Sequence, residues 1–394
     1  MMIMELDLKK ITLDLQRVCG EVKFLMYCKS NKVEKAFFLT NYPFRGFDNI
    51  VKGKNPIFAL YALMRICGIC HAAHGIASAE AIEDAMGITP PMNGRYMREI
   101  LGLVNRVQSH LMHLVMAIPD FVEESKQAYV LKSTLDILNE THSIMTKLGG
   151  SSTHPSYITI GGVEKIPNEK ILSKIIENIG NLRDKYAEYR KELINCLNET
   201  YDYLRTIKFK PKFLGSDLFY GDKYSISVDK IKLIKYSDFH DDLPDVEFTP
   251  LTLALYEDNV VETGPRARLA EYYEYNNDSL WGLQEARLLE IELSYKRIYE
   301  LLEKLELGEP CQTKIMIYRS GKGVSVFEAP RGILVHKVVL NESGRIENYT
   351  IILPTMFLVP VIEKATQNIE VRFAEVIPRI YDPCIPCYSA YTLR

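Results

Sequence analysis

"DPCIPC" (residues 382–387), near the end of the chain, and "RICGICHAAH" (residues 65–74), near its beginning, decide the fold. Each stretch holds a C-x-x-C pair, and more than three hundred residues separate the two pairs. Four thiolates suit zinc, an iron–sulfur cluster or another thiophilic metal. Zinc ribbons set their pairs about fifteen to twenty residues apart, so this spacing does not fit a local zinc knuckle. A shared site therefore requires the fold to bring both ends together, which also ties down a terminus that would otherwise fray.

The composition of the 394-residue chain is that of a globular protein, with 47% hydrophobic and 25% charged residues. The net charge of −3 is spread over both signs and gives no reason to expect a nucleic acid or an anionic membrane as partner. We expect no membrane span, because no run approaches eighteen apolar residues. The first residues lack a signal peptide, so we expect a cytoplasmic protein, in which paired cysteines indicate metal ligands rather than disulfides. Outside the pairs, small buried hydrophobes are expected at Cys19, Cys28, Cys196 and Cys311.

The first half of the chain shows mainly helical periodicity after an opening region of short strands at 6–40. One helix is predicted over 55–86, with the first cysteine pair in its middle part. A second is predicted from Arg95 to Ile118, where Pro119 should stop it. A third is predicted over 127–147, before a loop at 149–162 that has glycines at both ends.

The second half begins with the longest periodic segment, 168–205, for which Asn168 is the predicted N-cap. An irregular stretch with short strands follows at 208–262, and then a helix at 280–305. Alternating apolar residues predict strands within 312–353, in KIMIYR, ILVHKVVL and YTIIL, before a last helix near 360–377. We therefore predict one mainly helical domain, residues 1–394, with small β-sheets at its edges.

Several further motifs occur in the order typical of one known family. The chain resembles the large subunits of [NiFe] hydrogenases, whose two signatures are R-x-C-G-x-C-x-x-x-H and D-P-C-x-x-C. The similar stretches between them are YPFRGFD (42–48), SHLMHLVMAIPDF (109–121), GGSSTHPSYITIGG (149–162), TGPRAR (263–268), EAPRGILVH (328–336) and LPT (353–355). Its length and EAPRG region look most like the group 3, deazaflavin (coenzyme F420)-reducing alpha subunits of methanogens. The resemblance implies a long central helix bundle, with the metal site between the N-terminal and C-terminal segments.

The resemblance also implies a nickel–iron centre with carbon monoxide and cyanide on the iron. Cys67 and Cys384 would be terminal nickel ligands, while Cys70 and Cys387 would bridge the two metals. Arg331 would lie over the open site and bond one cyanide, since its fixed charge and several donors suit that task. Thr355 would donate to the other cyanide. Without the motifs, both residues would be taken for ordinary turn residues.

Surrounding polar residues would support this centre. His74 would donate a hydrogen bond near the bridging thiolate of Cys70 and so tune the metals. Asp120 and Asp382 would hold Arg331 or the C-terminal loop. Three histidines would lie toward the small subunit and its nearest iron–sulfur cluster: His110, His113 and His154. Ordinary packing and turn formation are the alternatives for all of these residues.

The implied reaction is the heterolytic cleavage of dihydrogen, in which the metals take hydride, a terminal thiolate takes the proton, and two electrons leave through a partner. The remaining cysteines are too few and too scattered to conduct electrons. An Fe–S small subunit is therefore expected as partner, together with a flavin- or deazaflavin-reducing subunit.

The chain departs from the family pattern around the implied site. In the R-x-E-G-H motif, Cys19 replaces the glutamate that relays the proton, and Glu21 replaces the histidine; a thiol there could relay protons, ligate the metal or join Cys384 in a disulfide. Ala390 stands where a histidine or arginine usually precedes a cleaved peptide, so proteolytic maturation of the usual form is not expected. Three milder changes accompany these: Asp48 for Glu, Ser151 for Lys and Leu358 for Asn.

Two functions are compatible with these departures. The first is an active hydrogenase subunit with a modified proton path. The second is a hydrogenase-like paralogue that binds a Ni–Fe, Fe or Zn centre without turning over H2, and that serves as a scaffold, as a sensor or in another reduction. Structural zinc in a degenerate relative is a third, lesser alternative.

Overall fold

The computed structural model describes residues 8–314 and 319–393. Helices dominate these residues, as the sequence predicts. In chain order they are α1 (Phe47–Val51), α2 (Pro56–Met64), α3 (His71–Met86), α4 (Met92–Phe121), α5 (Glu124–Gly149), α6 (Glu169–Ile194), α7 (Glu199–Leu204), α8 (Tyr236–Phe239), α9 (Pro265–Tyr272), α10 (Leu280–Leu302), α11 (Pro354–Thr366), α12 (Val371–Ala374), α13 (Val376–Tyr381) and α14 (Ile385–Tyr388).

Small sheets lie around the helices, and the largest in the described residues have three strands. The strands are β1 (Lys9–Asp14), β2 (Lys23–Lys29), β3 (Lys32–Leu39), β4 (Ile158–Thr159), β5 (Gly162–Val163), β6 (Lys212–Phe213), β7 (Ile231–Lys235), β8 (Thr252–Tyr256), β9 (Val261–Glu262), β10 (Gly321–Ala329), β11 (Gly332–Leu340) and β12 (Ile346–Ile352). The orders β1-β2-β3 and β10-β11-β12 are antiparallel meanders. The predicted strand KIMIYR falls mostly on residues 315–318, which lie outside the described residues.

Four long helices form the centre of the molecule. α4 packs against α5 and α10, and α6 packs against α5 and α10. Their apolar stripes recur at helical spacing, so each helix buries one face against its neighbours. Pro119 does not stop α4 as predicted, and the helix ends two residues later, at Phe121. Because Pro119 lies in the last turn, its missing N–H costs only one hydrogen bond of the helix.

Two of the predicted helices are each divided in two. The segment 168–205 breaks between α6 and α7, where the side chain of Asn198 accepts the N–H of Thr200 and caps the second helix. The segment 55–86 breaks at the cysteine pair, because the N–H groups of Ile69 and Cys70 turn toward the Cys67 sulfur. The predicted helix at 360–377 begins earlier, at Pro354, and is likewise divided, into α11, α12 and α13.

Helix α3 lies directly on β10 and β11. Two glycines in β10 allow this close approach: a Cβ on Gly321 would lie 1.8 Å from the Ala85 carbonyl oxygen, and one on Gly323 would lie 2.1 Å from that of Ala81. The second residue of the first cysteine pair, Cys70, is the N-cap of α3. The packing of α3 on this sheet therefore fixes the position of Cys70.

The C-terminal segment is buried, as the shared-site hypothesis predicts. Cys384 and Ala390 are fully inaccessible to solvent. In the part of the chain that the structure describes, every helix is too short or too polar to span a lipid bilayer.

Candidate metal centre

The two cysteine pairs meet in one buried cluster. Cys67 lies in the loop after α2, Cys70 caps α3, and Cys384 and Cys387 lie at and within α14. The sulfur–sulfur distances are 3.4 Å between Cys67 and Cys384, 3.2 Å between Cys70 and Cys387, and 3.3 Å between Cys384 and Cys387. All four sulfurs lie within 4.8 Å of one another. This donor set fits a thiophilic metal such as nickel.

Arg45, which the motif analysis did not single out, joins the two cysteine loops. Its guanidinium donates to the carbonyl oxygens of Ile66, at 2.6 Å, and of Pro386, at 2.8 Å. The backbone N–H of Arg45 also donates to Ser389, and that of Phe47 donates to Ala390. Its position inside the YPFRGFD motif (42–48) was the signal in the sequence that could have pointed to Arg45. The fold is needed to show that its side chain bonds both loops.

The N-terminal segment pairs with the second cysteine loop. The N–H of Ile385 donates to the carbonyl oxygen of Cys19 at 2.9 Å, and the Cys19 sulfur lies 3.8 Å from that of Cys384. A Cβ on Gly20 would lie 2.5 Å from the Cβ of Ile385, and Gly20 has φ of +108°. Glycine is therefore required for the approach that brings Cys19 to the cluster.

Hydrogen bonding gives these two sulfurs different proton affinities. The hydrogen bond from Cys19, followed by those from the other cluster cysteines, lowers the pKa of Cys384 well below its usual value. The same bond, together with burial, raises the pKa of Cys19 well above its usual value. These opposite shifts favour the proton on Cys19 rather than on Cys384.

Arg331 and Asp382 form a buried ion pair beside the cysteines. Arg331 donates through Nε to the backbone oxygen of Asp382 at 2.5 Å and through an Nη to its carboxylate at 2.9 Å. Burial of Asp382 favours its neutral form, but Arg331 and His113 outweigh this effect and lower its pKa to about 2. The guanidinium is thus held in place by the residue two positions before Cys384.

A small enclosed cavity adjoins the sulfurs, with room for a group of about the size of a water molecule. Its lining consists of Cys70, His74, Ala329, Arg331, Leu334, Pro354, Thr355, Cys384 and Cys387. The Thr355 hydroxyl oxygen accepts the N–H of Cys384 at 3.1 Å, which leaves the hydroxyl proton available to another acceptor. The cavity is therefore mostly apolar, with the donors Arg331 and Thr355 on its wall.

His74 contacts the cluster from α3. Its Nε2 lies 3.5 Å from the Cys387 sulfur, so the contacted sulfur is that of Cys387 rather than that of Cys70. Its Nδ1 lies 3.3 Å from Nε2 of His336. Burial lowers the pKa of His74 to about 4, so the ring is neutral at pH 7.

Asp120 lies away from Arg331, and Asp382 alone of these two carboxylates contacts that arginine. Asp120 accepts from Arg17 at 2.6 and 3.1 Å and from Arg379 at 2.9 Å to each oxygen. Since Arg17 precedes Cys19 and Arg379 precedes Cys384, this carboxylate joins the segments that bring those two sulfurs together.

The three other histidines differ in exposure. His110 bonds Glu290 at 2.9 Å, and His113 bonds Gln284 at 3.0 Å; both are buried in the bundle rather than at the chain's surface. His154 is partly exposed, with its ring 5.4 Å from that of His71. Ala390, where the family motif implies a histidine or arginine, offers no side-chain ligand.

The helix-rich chain brings two cysteine pairs that lie far apart in sequence into one buried cluster, a set of four sulfurs able to hold a metal ion. The family model described as nickel-dependent hydrogenase matches residues 45–129. The chain is 33% identical to coenzyme F420 hydrogenase subunit alpha of Methanocaldococcus jannaschii over 362 residues, which cover 90% of this chain and 87% of that protein. It is 30% identical to the protein of the same name from Methanothermobacter thermautotrophicus over 364 residues, or 90% and 88% of the two chains.

The fold is similar to that of solved hydrogenases. The [NiFeSe]-hydrogenase of Dm. baculatum superposes with a TM-score of 0.82 at 22% identity, over 97% of this chain and 100% of that chain. The Ni-Fe-Se hydrogenase of D. vulgaris Hildenborough gives 0.81 at 22% identity, over 98% and 100%. The chain belongs to the nickel-dependent hydrogenase family. The resemblance inferred from the order of motifs, including its likeness to the coenzyme F420 hydrogenase alpha subunits, is confirmed, and so is the mainly helical fold.

Proposed function

We propose that this chain is the catalytic subunit of a [NiFe] hydrogenase, an oxidoreductase that cleaves or forms H2. The observation that carries the proposal is the cluster of four buried cysteine sulfurs within 4.8 Å of one another, in a chain of the nickel-dependent hydrogenase family. The nickel–iron group, when bound there, supplies the heterolytic chemistry of H2. The protein holds the metals, orients their other ligands and carries the proton.

Each cysteine takes the role that its place in the family motif implies. Cys67 and Cys384 would hold nickel, and Cys70 and Cys387 would hold both nickel and iron. The cavity beside the sulfurs, which has room for about one such group, would adjoin the carbon monoxide and cyanide ligands of the iron. Arg331 and Thr355, two donors on the cavity wall, would bond the cyanides, and Asp382 keeps Arg331 in place by accepting two hydrogen bonds. The apolar remainder of the wall excludes water from the metals.

Cys19 carries the proton away from the cluster. It is the thiol next to the fully buried Cys384 sulfur, and it is itself partly exposed. Its neighbours Gly20 and Glu21 line a surface cleft. A proton that leaves Cys384 therefore needs only one intermediate group before it reaches water, and Cys19 takes the place of the glutamate that is usual in this motif.

Electrons leave through other subunits. The described residues contain one cluster of His, Cys, Asp or Glu side chains able to hold a metal, so the electron path lies on a partner, an Fe–S small subunit. The two relatives are named alpha subunits of coenzyme F420 hydrogenases, which supports a deazaflavin-reducing subunit in the same complex. Residues 1–394 act as one domain, because residues 67–70 and 384–387 supply the four sulfurs together, and we place this domain in the cytoplasm.

Metal analysis and infrared spectroscopy of the complex purified from its native source test this proposal. We expect equimolar nickel and iron in this chain, together with absorption bands of carbon monoxide and cyanide. A Cys67→Ser variant should lose nickel, whereas Cys196→Ser, which also alters a buried thiol but lies outside the cluster, should retain it. Zinc as the sole metal overturns the proposal, and Ni–Fe without H2 turnover identifies the chain as a non-catalytic paralogue.

A further inference from the structure

A line of hydrogen-bonding groups extends from the cysteine cluster into the β10–β12 sheet. Nε2 of His74 lies 3.5 Å from the Cys387 sulfur, and Nδ1 of His74 lies 3.3 Å from Nε2 of His336. Nδ1 of His336 then lies 2.8 Å from the Tyr349 hydroxyl. Every ring nitrogen of the two histidines is thus engaged. His74, His336 and Tyr349 are all at most 2% exposed, so water does not compete for these contacts.

The sheet fixes the outer part of this line. In the antiparallel register His336 faces Ile351 and Val338 faces Tyr349, so His336 and Tyr349 are diagonal neighbours on one face. Helix α3, which carries His74, packs on β10 and β11 and brings His74 against that face. The line therefore joins two rigid elements, which is the arrangement needed to hold a group in one orientation.

Only one direction of hydrogen bonding fits a metal-bound Cys387. A thiolate accepts and cannot donate, so His74 must present Nε2–H to the sulfur. A neutral imidazole carries one N–H, so Nδ1 of His74 must accept from Nε2–H of His336. For the same reason Nδ1 of His336 must accept, and the Tyr349 hydroxyl is the donor. The thiolate thus sets the direction, and the Tyr349 hydroxyl supports it by supplying the donor that Nδ1 of His336 requires.

We propose that His336 and Tyr349 are positioning residues that hold His74 as a hydrogen-bond donor to the Cys387 thiolate. A hydrogen bond to a thiolate withdraws electron density from the metals that the sulfur binds. Loss of the Tyr349 donor frees both rings to adopt the other tautomer, in which His74 presents an acceptor to the sulfur. The sulfur then donates more strongly to the metals. This inference rests on the proposed function, because its readout is the iron-bound carbon monoxide.

The test uses the purified complex and two isosteric variants. Tyr349→Phe removes the donor and keeps the ring, so we expect the carbon monoxide band to move to lower wavenumber at unchanged nickel and iron content. Tyr295→Phe is the control: its hydroxyl is also buried and hydrogen-bonded, to Thr141 at 2.9 Å, but it lies in the helix bundle. That variant should leave the band in place. An unmoved band in Tyr349→Phe overturns the proposal.

A second background separates positioning from a general loss of packing. In His336→Gln the side-chain amide NH2 can donate to Nδ1 of His74 whatever residue 349 is, because an amide always carries its N–H groups. Tyr349→Phe should therefore shift the band in the native background and not in His336→Gln. Equal shifts in both backgrounds contradict the proposal. If the unmodified complex shows no carbon monoxide band, the proposed function itself fails, and that result is distinguishable from an unmoved band.

Discussion

Replacement of Cys19 by alanine should slow proton exchange at the metal centre by a factor of about 10² to 10⁴. Cys384 is fully buried, and Cys19, whose sulfur lies 3.8 Å from that of Cys384, is a partly exposed residue. Alanine replaces a thiol, which can both donate and accept a proton, with a methyl group, which can do neither. Since tenfold in rate corresponds to about 1.4 kcal/mol, the expected loss is about 3 to 5 kcal/mol of transition-state stabilisation.

The assay is the exchange of D2 with protons of water, followed by mass spectrometry, on complexes of equal nickel content. Exchange reports cleavage and proton transfer without requiring the electron acceptor. Cys311→Ala is the control, because that thiol is also partly exposed but lies outside the cluster. Cys19→Glu restores the residue that is usual in the motif and should exchange at least as fast as the native complex.

An exchange rate in Cys19→Ala within twofold of that in Cys311→Ala, at equal nickel content, refutes the reasoning. The proton would then leave Cys384 by a route that the contacts around Cys19 do not provide. Slow exchange in Cys19→Ala with recovery in Cys19→Glu supports a relay. Failure of both variants to bind nickel contradicts the relay and favours a ligand role for Cys19.

Three further predictions concern stability. Gly20→Ala should lower the free energy of unfolding by about 1 to 3 kcal/mol more than Gly53→Ala in urea titrations, because both glycines have positive φ but only the first meets a neighbour. Asp120→Ala should cost about 3 kcal/mol, or about 4 °C in Tm for a chain of this length, because it leaves the buried Arg379 with the half-exposed Glu375 as its carboxylate partner. Asp136→Ala, at an exposed i,i+4 pair, should cost under about 0.5 kcal/mol. Burial lowers the pKa of His110 to about 3. Below pH 6.5 the unfolded chain therefore binds more protons than the folded chain, and the free energy of unfolding falls as the pH falls. His110→Gln should reduce the slope of the free energy of unfolding against pH, between pH 6 and 4, by up to about 1.4 kcal/mol per pH unit.

The parts of the fold that the sequence predicts well are those set by local periodicity. Helices α4, α5 and α10 begin and end within about three residues of their predicted bounds, because each has a long amphipathic repeat. The two cysteine pairs predict a shared site because four cysteines in two C-x-x-C pairs indicate metal ligands even when the pairs lie far apart in the chain. The order of motifs predicts the family for the same reason.

The parts that the sequence does not predict depend on tertiary contacts. The segment around Cys67 continues the apolar repeat of its flanking helices, so periodicity gives no sign of the break there. The break exists because nearby N–H groups turn toward the Cys67 sulfur, which faces cysteines from the other end of the chain. Likewise, nothing local shows that Arg45 bonds two loops far apart in sequence. The break before Asn198 was readable, since asparagine is a common N-cap.

The departures from the family pattern concern proton transfer and the C-terminal segment, not the ligand set. All four sulfurs converge, and Arg331, Asp382 and Thr355 surround them. Cys19 instead lies beside Cys384, on the proposed proton path, and Ala390 lies where the tail meets the Arg45 segment. Metal content and proton exchange therefore test different parts of the molecule. If the complex holds the expected metals but exchanges slowly, Cys19 accounts for its difference from its relatives. If the metals are absent, the difference lies in the assembly of the C-terminal segment.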